Sequence, residues 1–205
     1  MGRKINSILT HQYTLALVYC AEIHAGQRRK GNATPYLAHL LSVSALVLED
    51  GGDETEAIAA LLHDSLEDQP DRTSREEIRQ RFGEGAAQLV VACTDTPVDY
   101  HGGPKPPWRE RKEKYLQHIR DGAGGAQRIV LADKLHNLRT MLADYRRVGE
   151  DLWPVFNAGK ADQLWLYQSL VAAFAQAGAQ GSLYDEFTRA VAELVHLTST
   201  HDFFS

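Results

Sequence analysis

A chain of 205 residues, 43% hydrophobic and 24% charged, holds enough apolar material for one ordinary globular core, with room for at most a small subdomain. Its formal charge of -5 argues against broad nucleic-acid binding, which normally needs a basic face, but not against a small anionic ligand met by a few local Lys or Arg. No apolar run reaches the roughly 18 residues of a membrane span, and MGRKINSILTHQY lacks the continuous apolar stretch of a signal peptide, so a cytoplasmic protein with neither membrane nor nucleic-acid partners is expected.

The dominant period is helical. Ile8 to Gly26 places apolar residues three and four apart and ends at a glycine suited to a C-cap. It carries Cys20, which with Cys93 reads as a free thiol in a reducing compartment rather than half of a disulfide. Pro35 opens a second helix, YLAHLLSVSALVLED, closed by Gly51-Gly52. Glu54 to Leu66 is so apolar that its helix is expected at the centre. Ser74, with Glu77 three residues on, predicts a capping box for a short helix ending near Phe82-Gly83, and Glu84 to Thr94 predicts another. Pro97 to Pro107 is too rich in proline and glycine for a helix. Helices are expected again over Trp108 to Arg120, Ala126 to Arg147, Ala161 to Ala177 and Leu183 to Leu197. With no alternating pattern anywhere, the fold class is all-α, a single domain over 1–205 with the helices from about 150 as an extension packed on it.

Three separated pieces carry the chemistry: His39, the pair His63-Asp64 in LLHDSLEDQ, and Asp133 in LADKLHNLR. Two imidazoles and two carboxylates suffice for a divalent metal. On a continuous helix His63 would neighbour Glu67, and Asp64 both Glu67 and Asp68. Three carboxylates and an imidazole in six residues would be costly to bury without a cation. A solvated helix end is the plainer alternative, but ALLHD is too apolar for it. Asp133 and Asn137 lie four apart on one face. Either alone would be a structural polar residue; the conjunction makes Asp133 a ligand and Asn137 a hydrogen-bonding partner of substrate or ligand. His136 points to another face, and the other histidines have no partner in sequence. The run Gln27-Arg28-Arg29-Lys30-Gly31 is either a solvated turn or a phosphate-binding loop.

His39, His63-Asp64 and Asp133 reproduce the H…HD…D pattern of HD-domain phosphohydrolases. HAGQRRKGNATPYLAH, AALLHDSLEDQ and RIVLADKLHNLRTM more narrowly resemble the hydrolase domain of the RelA/SpoT alarmone family, above all its small stand-alone hydrolases, over about residues 10 to 145. The resemblance implies an HD-domain helical bundle, one bound divalent ion, most readily Mn2+, and removal of the 3′-pyrophosphate from (p)ppGpp to give GDP or GTP. It implies His39, His63, Asp64 and Asp133 as metal ligands, and Glu67 and Asp68 as the pair that positions and deprotonates water. Arg29 and Lys30, with Arg28 beside them, match the basic loop near the nucleotide, and Asn137 matches an Asn after the second Asp.

The chain departs from that pattern at Ser65 and Gln69, where the family often reads HDVIEDT, and in the Pro-rich segment after Thr94. Helix 108–120 offers Arg109, Arg111 and Lys112 as phosphate contacts or as a solvated face, and Lys134, beside Asp133, is a further cation near the substrate. The alternative function is therefore an HD phosphohydrolase acting on another nucleotide or phosphate ester. A small-molecule nucleotide is the expected partner in either case. Trp153, Trp165 and the apolar C-terminal helices serve either a core or a homodimer surface.

Overall fold

The computed structural model describes residues 9–31, 33–94 and 106–201, so most of the Pro-rich stretch lies outside the described residues. Among the described residues the structure is helical: α1 (His11–Ile23), α2 (Leu37–Glu49), α3 (Glu54–Leu62), α4 (Ser65–Asp68), α5 (Arg75–Cys93), α6 (Trp108–Arg120), α7 (Gln127–Val148), α8 (Lys160–Gln176) and α9 (Ser182–His201), with short 3-10 turns at Ala123–Gly125 and Gly149–Val155. One isolated antiparallel bridge joins Arg28 to Pro35. The chain divides into two compact units, Met1–His101 with Ala123–Ala132 and Gly102–Gly122 with Asp133–Ser205.

In the first unit α3 is central, as its apolar sequence predicts. Ala57 through Leu62 are all buried, and the helix packs against α1, α2 and α5. Small alanines let the neighbouring helices close in, while Ile58, Leu61 and Leu62 each contribute about 1.5–3 kcal/mol by burial. Leu61→Ala would cost about 2–5 kcal/mol. The complete capping box is at the start of this helix: Glu56 N–H donates to Asp53 Oδ1 and Asp53 N–H to Glu56 Oε2, both at 2.9 Å. At Ser74, where the sequence predicts a box, the observed cap is the hydroxyl accepting from Glu77 N–H at 3.2 Å. Gly52 makes the turn into α3 possible, because a Cβ there would lie 2.6 Å from Val47 Cγ1.

The boundaries differ from expectation in two informative places. α1 stops at Ile23 rather than running to Gly26, and Arg72 donates to the freed Ile23 carbonyl at 3.0 Å. α3 stops at Leu62, and the expected continuation to Leu66 is replaced by the separate turn α4. The break expected near Phe82-Gly83 is present: Gly83 takes φ +89°, ψ 165° and splits α5 into two pieces. The first turn of α7 belongs to this unit. Arg128 donates to Asp50 Oδ2 at 3.0 Å and pairs with Glu56, tying that turn to the end of α2 and the start of α3.

In the second unit α6 packs on α8 and α8 on α9. α6 buries Tyr115, Leu116 and Ile119 and exposes Glu110, Glu113 and Lys114. Aromatic pairs tie the helices together: Trp108 with Trp165, Phe174 with Phe187, and Tyr167 with Phe187. Trp165 also lies under the Arg109 guanidinium. Among the described residues no helix is long and apolar enough to cross a membrane, and neither Cys20 nor Cys93 forms a disulfide.

Candidate metal centre and its surroundings

His39 sits in the first turn of α2 and His63 at the end of α3, both buried, and Asp64 follows half-buried at the cap of α4. His63 keeps right-handed backbone angles, φ -58° and ψ -33°, so its ring still reaches back along α3. Its Nδ1–H donates to the Ala60 carbonyl at 2.8 Å, which turns Nε2 toward the cluster. That Nε2 lies 3.0 Å from Asp64 Oδ2, and His39 Nε2 lies 3.7 Å from the same oxygen. The candidate ligand atoms of His39, His63 and Asp64 all fall within 4.8 Å of one another. Two imidazoles and a carboxylate converging at this spacing fit a first-row divalent cation, and the backbone bond of His63 is the kind that orients a ligating histidine.

Tyr36 supports the cluster. Its hydroxyl donates to Asp64 Oδ2 at 2.5 Å, and its ring lies between His24 and His39, 5.7 and 5.5 Å away. Arg29 is placed 5.6 Å over the same ring. The basic loop is pinned by its backbone: Arg29 N–H donates to the Thr34 carbonyl, and Tyr36 N–H to that of Gln27. Arg28 is exposed and donates to the Ala33 carbonyl, Lys30 is exposed, and Arg29 is half-buried.

Because α3 ends before it, Asp64 meets Glu67 and Asp68 as the start of a new turn. Its carbonyl accepts from Glu67 N–H at 3.2 Å and Asp68 N–H at 2.9 Å. Gln27 Nε2 donates to Asp68 Oδ2 at 2.7 Å. Crowding by surrounding protein and then the Asp64 charge raise the Asp68 pKa, against the lowering effect of the Gln27 hydrogen bond and of His24 and His63.

The second unit holds the other candidates. Asp133 is buried, and Lys134 Nζ donates to its Oδ2 at 2.7 Å while Asn137 Nδ2 donates to its Oδ1 at 2.5 Å. Burial alone would lower the Lys134 pKa, but the Asp133 charge and then Tyr115 hold it well above the ordinary lysine value. Lys134 and Lys112 share the Tyr115 ring, 5.1 and 5.3 Å from its centre. Arg111 instead donates to the Pro106 carbonyl at 3.3 Å.

Four side chains of this neighbourhood escape a reading of the sequence: Tyr36, His24, Gln27 and Gln69. His24 has a partner after all, since its Nδ1 lies 2.6 Å from Gln27 Oε1. The signal that marks His24 and Gln27 is their place in HAGQRRKG, beside the basic residues that draw attention first.

A family described as an HD domain matches residues 16–163. The guanosine-3′,5′-bis(diphosphate) 3′-pyrophosphohydrolase MESH1 of Xenopus tropicalis is 36% identical over 138 residues, covering 66% of this chain and 70% of that protein. A guanosine-3′,5′-bis(diphosphate) 3′-pyrophosphohydrolase of Aquifex aeolicus is 37% identical over 129 residues, which is 62% of this chain but only 17% of that longer protein. A solved structure described as a metazoan ortholog of SpoT that hydrolyzes ppGpp superposes with a TM-score of 0.72 at 25% identity, covering 91% of this chain and 97% of that one.

Proposed function

The chain belongs to the HD-domain family, and we propose that it is a metal-dependent guanosine-3′,5′-bis(diphosphate) 3′-pyrophosphohydrolase, converting (p)ppGpp to GDP or GTP plus pyrophosphate. The observation that carries this reading is the convergence of His39, His63 and Asp64, followed within one turn by Glu67 and Asp68. The relatives named for this reaction support the substrate.

The proposed ligand set is His39, His63 and Asp64, with Asp133 completing it on the H…HD…D pattern. Mn2+ suits mixed imidazole and carboxylate donors. Such a cation supplies Lewis-acid polarisation of the phosphate ester. Glu67 takes the proton of the attacking water as general base, and Asp68 orients it. Arg29 and Lys30, with Arg28, Lys134, Asn137, Arg111 and Lys112 as further contacts, hold the phosphates and offset charge on the phosphoryl oxygens. The functional domain in this reading spans 1–205, with the helices from about 150 as an extension; the family match across both compact units supports it. Two cysteines outside any disulfide, Cys20 and Cys93, suit a reducing cytoplasm. A homodimer belongs to the same reading and is checked by light scattering.

Product analysis tests it. Purified Mn2+-loaded protein is incubated with ppGpp beside a panel of dNMPs, dNTPs and generic phosphoesters. GDP plus pyrophosphate, formed faster than any other product, is the expected result. Intact ppGpp with phosphate released from another member of the panel would move the activity to a different phosphate ester.

A further inference from the structure

An ionised Asp68 can only accept hydrogen bonds. Gln27 Nε2 lies 2.7 Å from Asp68 Oδ2, so Gln27 must turn its NH2 toward that carboxylate. Its carbonyl Oε1 then faces the other way, where His24 Nδ1 stands at 2.6 Å and Gln69 Nε2 at 2.7 Å. Both of these groups must donate. Flipping the Gln27 amide would set its oxygen against a carboxylate and its NH2 against two donors, three unfavourable contacts in place of three good ones.

The same logic fixes the state of His24. Its proton sits on Nδ1. Its Nε2 is buried and has no hydrogen-bond partner among the described residues, so a second proton there would be a buried unsatisfied donor. Burial lowers the pKa of this ring, against the Gln27 hydrogen bond and the charges of Asp68 and Asp64, which keeps the neutral form in favour. A neutral imidazole with a bare Nε2 is the one form that serves Gln27 without leaving an N–H stranded.

We infer that Gln27 is a positioning residue for Asp68, locked in a single amide orientation by His24 and Gln69. The lock joins distant parts of the chain. His24 and Gln27 come from the turn freed by the early end of α1, while Gln69 directly follows α4, which carries Asp68. Holding Oδ2 from one side fixes the plane of the Asp68 carboxylate, which the short α4 turn alone would leave free to rotate. Gln69 stands where the resembling family often has threonine, a side chain too short to make the same bond in the same way. The role in turnover rests on the phosphohydrolase reading.

The test uses the full chain. Gln27→Leu should lower kcat for ppGpp by roughly 10–100-fold, the usual effect of losing a group that orients another. KM and bound Mn2+ should stay within about twofold, since neither substrate nor metal is held by Gln27. Gln69→Glu keeps shape but replaces a donor with an acceptor, and it should also lower kcat. A Gln69→Glu protein with wild-type kcat, or a Gln27→Leu protein losing activity only in step with its metal, would overturn the inference. Nitrogen-15 spectra of the imidazoles in metal-free wild-type protein, with His24 assigned through a His24→Asn variant, give a readout that needs no activity and no folded Gln27 variant. His24 protonated at Nδ1 and bare at Nε2 is expected, and the opposite tautomer would break the lock. Wild-type protein that leaves ppGpp intact would instead sink the substrate reading, and the spectra would still judge the lock.

Discussion

The two carboxylates of the proposed ligand set are met by opposite kinds of partner. Asp64, in the first unit, faces the imidazoles of His39 and His63 and the phenol of Tyr36. Asp133, in the second, faces an ammonium and a carboxamide, Lys134 and Asn137. The first gathers two imidazoles and a phenol about its carboxylate, groups that can share a cation. The second already carries a counter-ion, and a cation must compete with it. On this comparison, His39, His63 and Asp64 of the proposed ligand set are expected to dominate metal affinity, with Asp133 contributing less.

The largest effects should come from the first unit. Asp64→Ala should abolish metal binding and activity together. Glu67→Ala should keep its metal and lose about 10²–10⁴-fold in turnover, as expected for a general base. Metal analysis of both purified variants checks the division of roles, and equal metal loss in the two would erase it. Next comes Lys134→Met, which removes the counter-ion of a buried carboxylate. The metal-free protein should lose about 3 kcal/mol, seen as a fall of roughly 6–12 °C in Tm. Metal affinity should hold or rise, because a competitor is gone, and a fall in affinity would contradict the comparison. Tyr36→Phe deletes one hydrogen bond to Asp64 and should weaken metal binding by about 10-fold, measured by competition with a chelating dye. The smallest effect concerns Asp68. Its raised pKa means that the fold favours the protonated form; that contribution is whole below the ordinary carboxylate pKa and is lost as pH rises through the raised value. Asp68→Asn cannot ionise, so its denaturation midpoint in metal-free protein should sit slightly above wild type at about pH 7 and converge with it near about pH 3. A gap that widens on acidification would reverse the sign.

The helices and the metal candidates were legible because their signals are local. Apolar spacing marks α2, α3 and α6, glycine marks the split in α5, and His63-Asp64 is a dipeptide. The end of α3 was less legible, because Leu62 is followed by residues whose backbone angles stay nearly helical. Asp53 and Glu56 have the same spacing as Ser74 and Glu77, yet the complete box forms only at Asp53, while Ser74 caps through its hydroxyl alone. The Gln27–Asp68 bond spans 41 positions and the Gln27–Gln69 bond 42, and no periodicity records a contact at that range. Glutamines also carry no charge to draw attention. The Pro-rich segment after Thr94, where the chain departs from the family pattern, lies outside the described residues over 95–105.

The abrupt stop of α3 bears on how such a chain can vary in length. An α-helix turns about 100° for each residue. One residue inserted or deleted between Asp53, which caps α3, and His63, which ends it, would therefore swing the His63 ring a quarter-turn away from the oxygen it shares with His39. Substitution within Glu54–Leu62 can be absorbed by repacking, but a change of length cannot. Related chains should exchange the buried ones among these nine residues for apolar side chains of similar size and hold their number fixed, with gaps gathering in the loops instead.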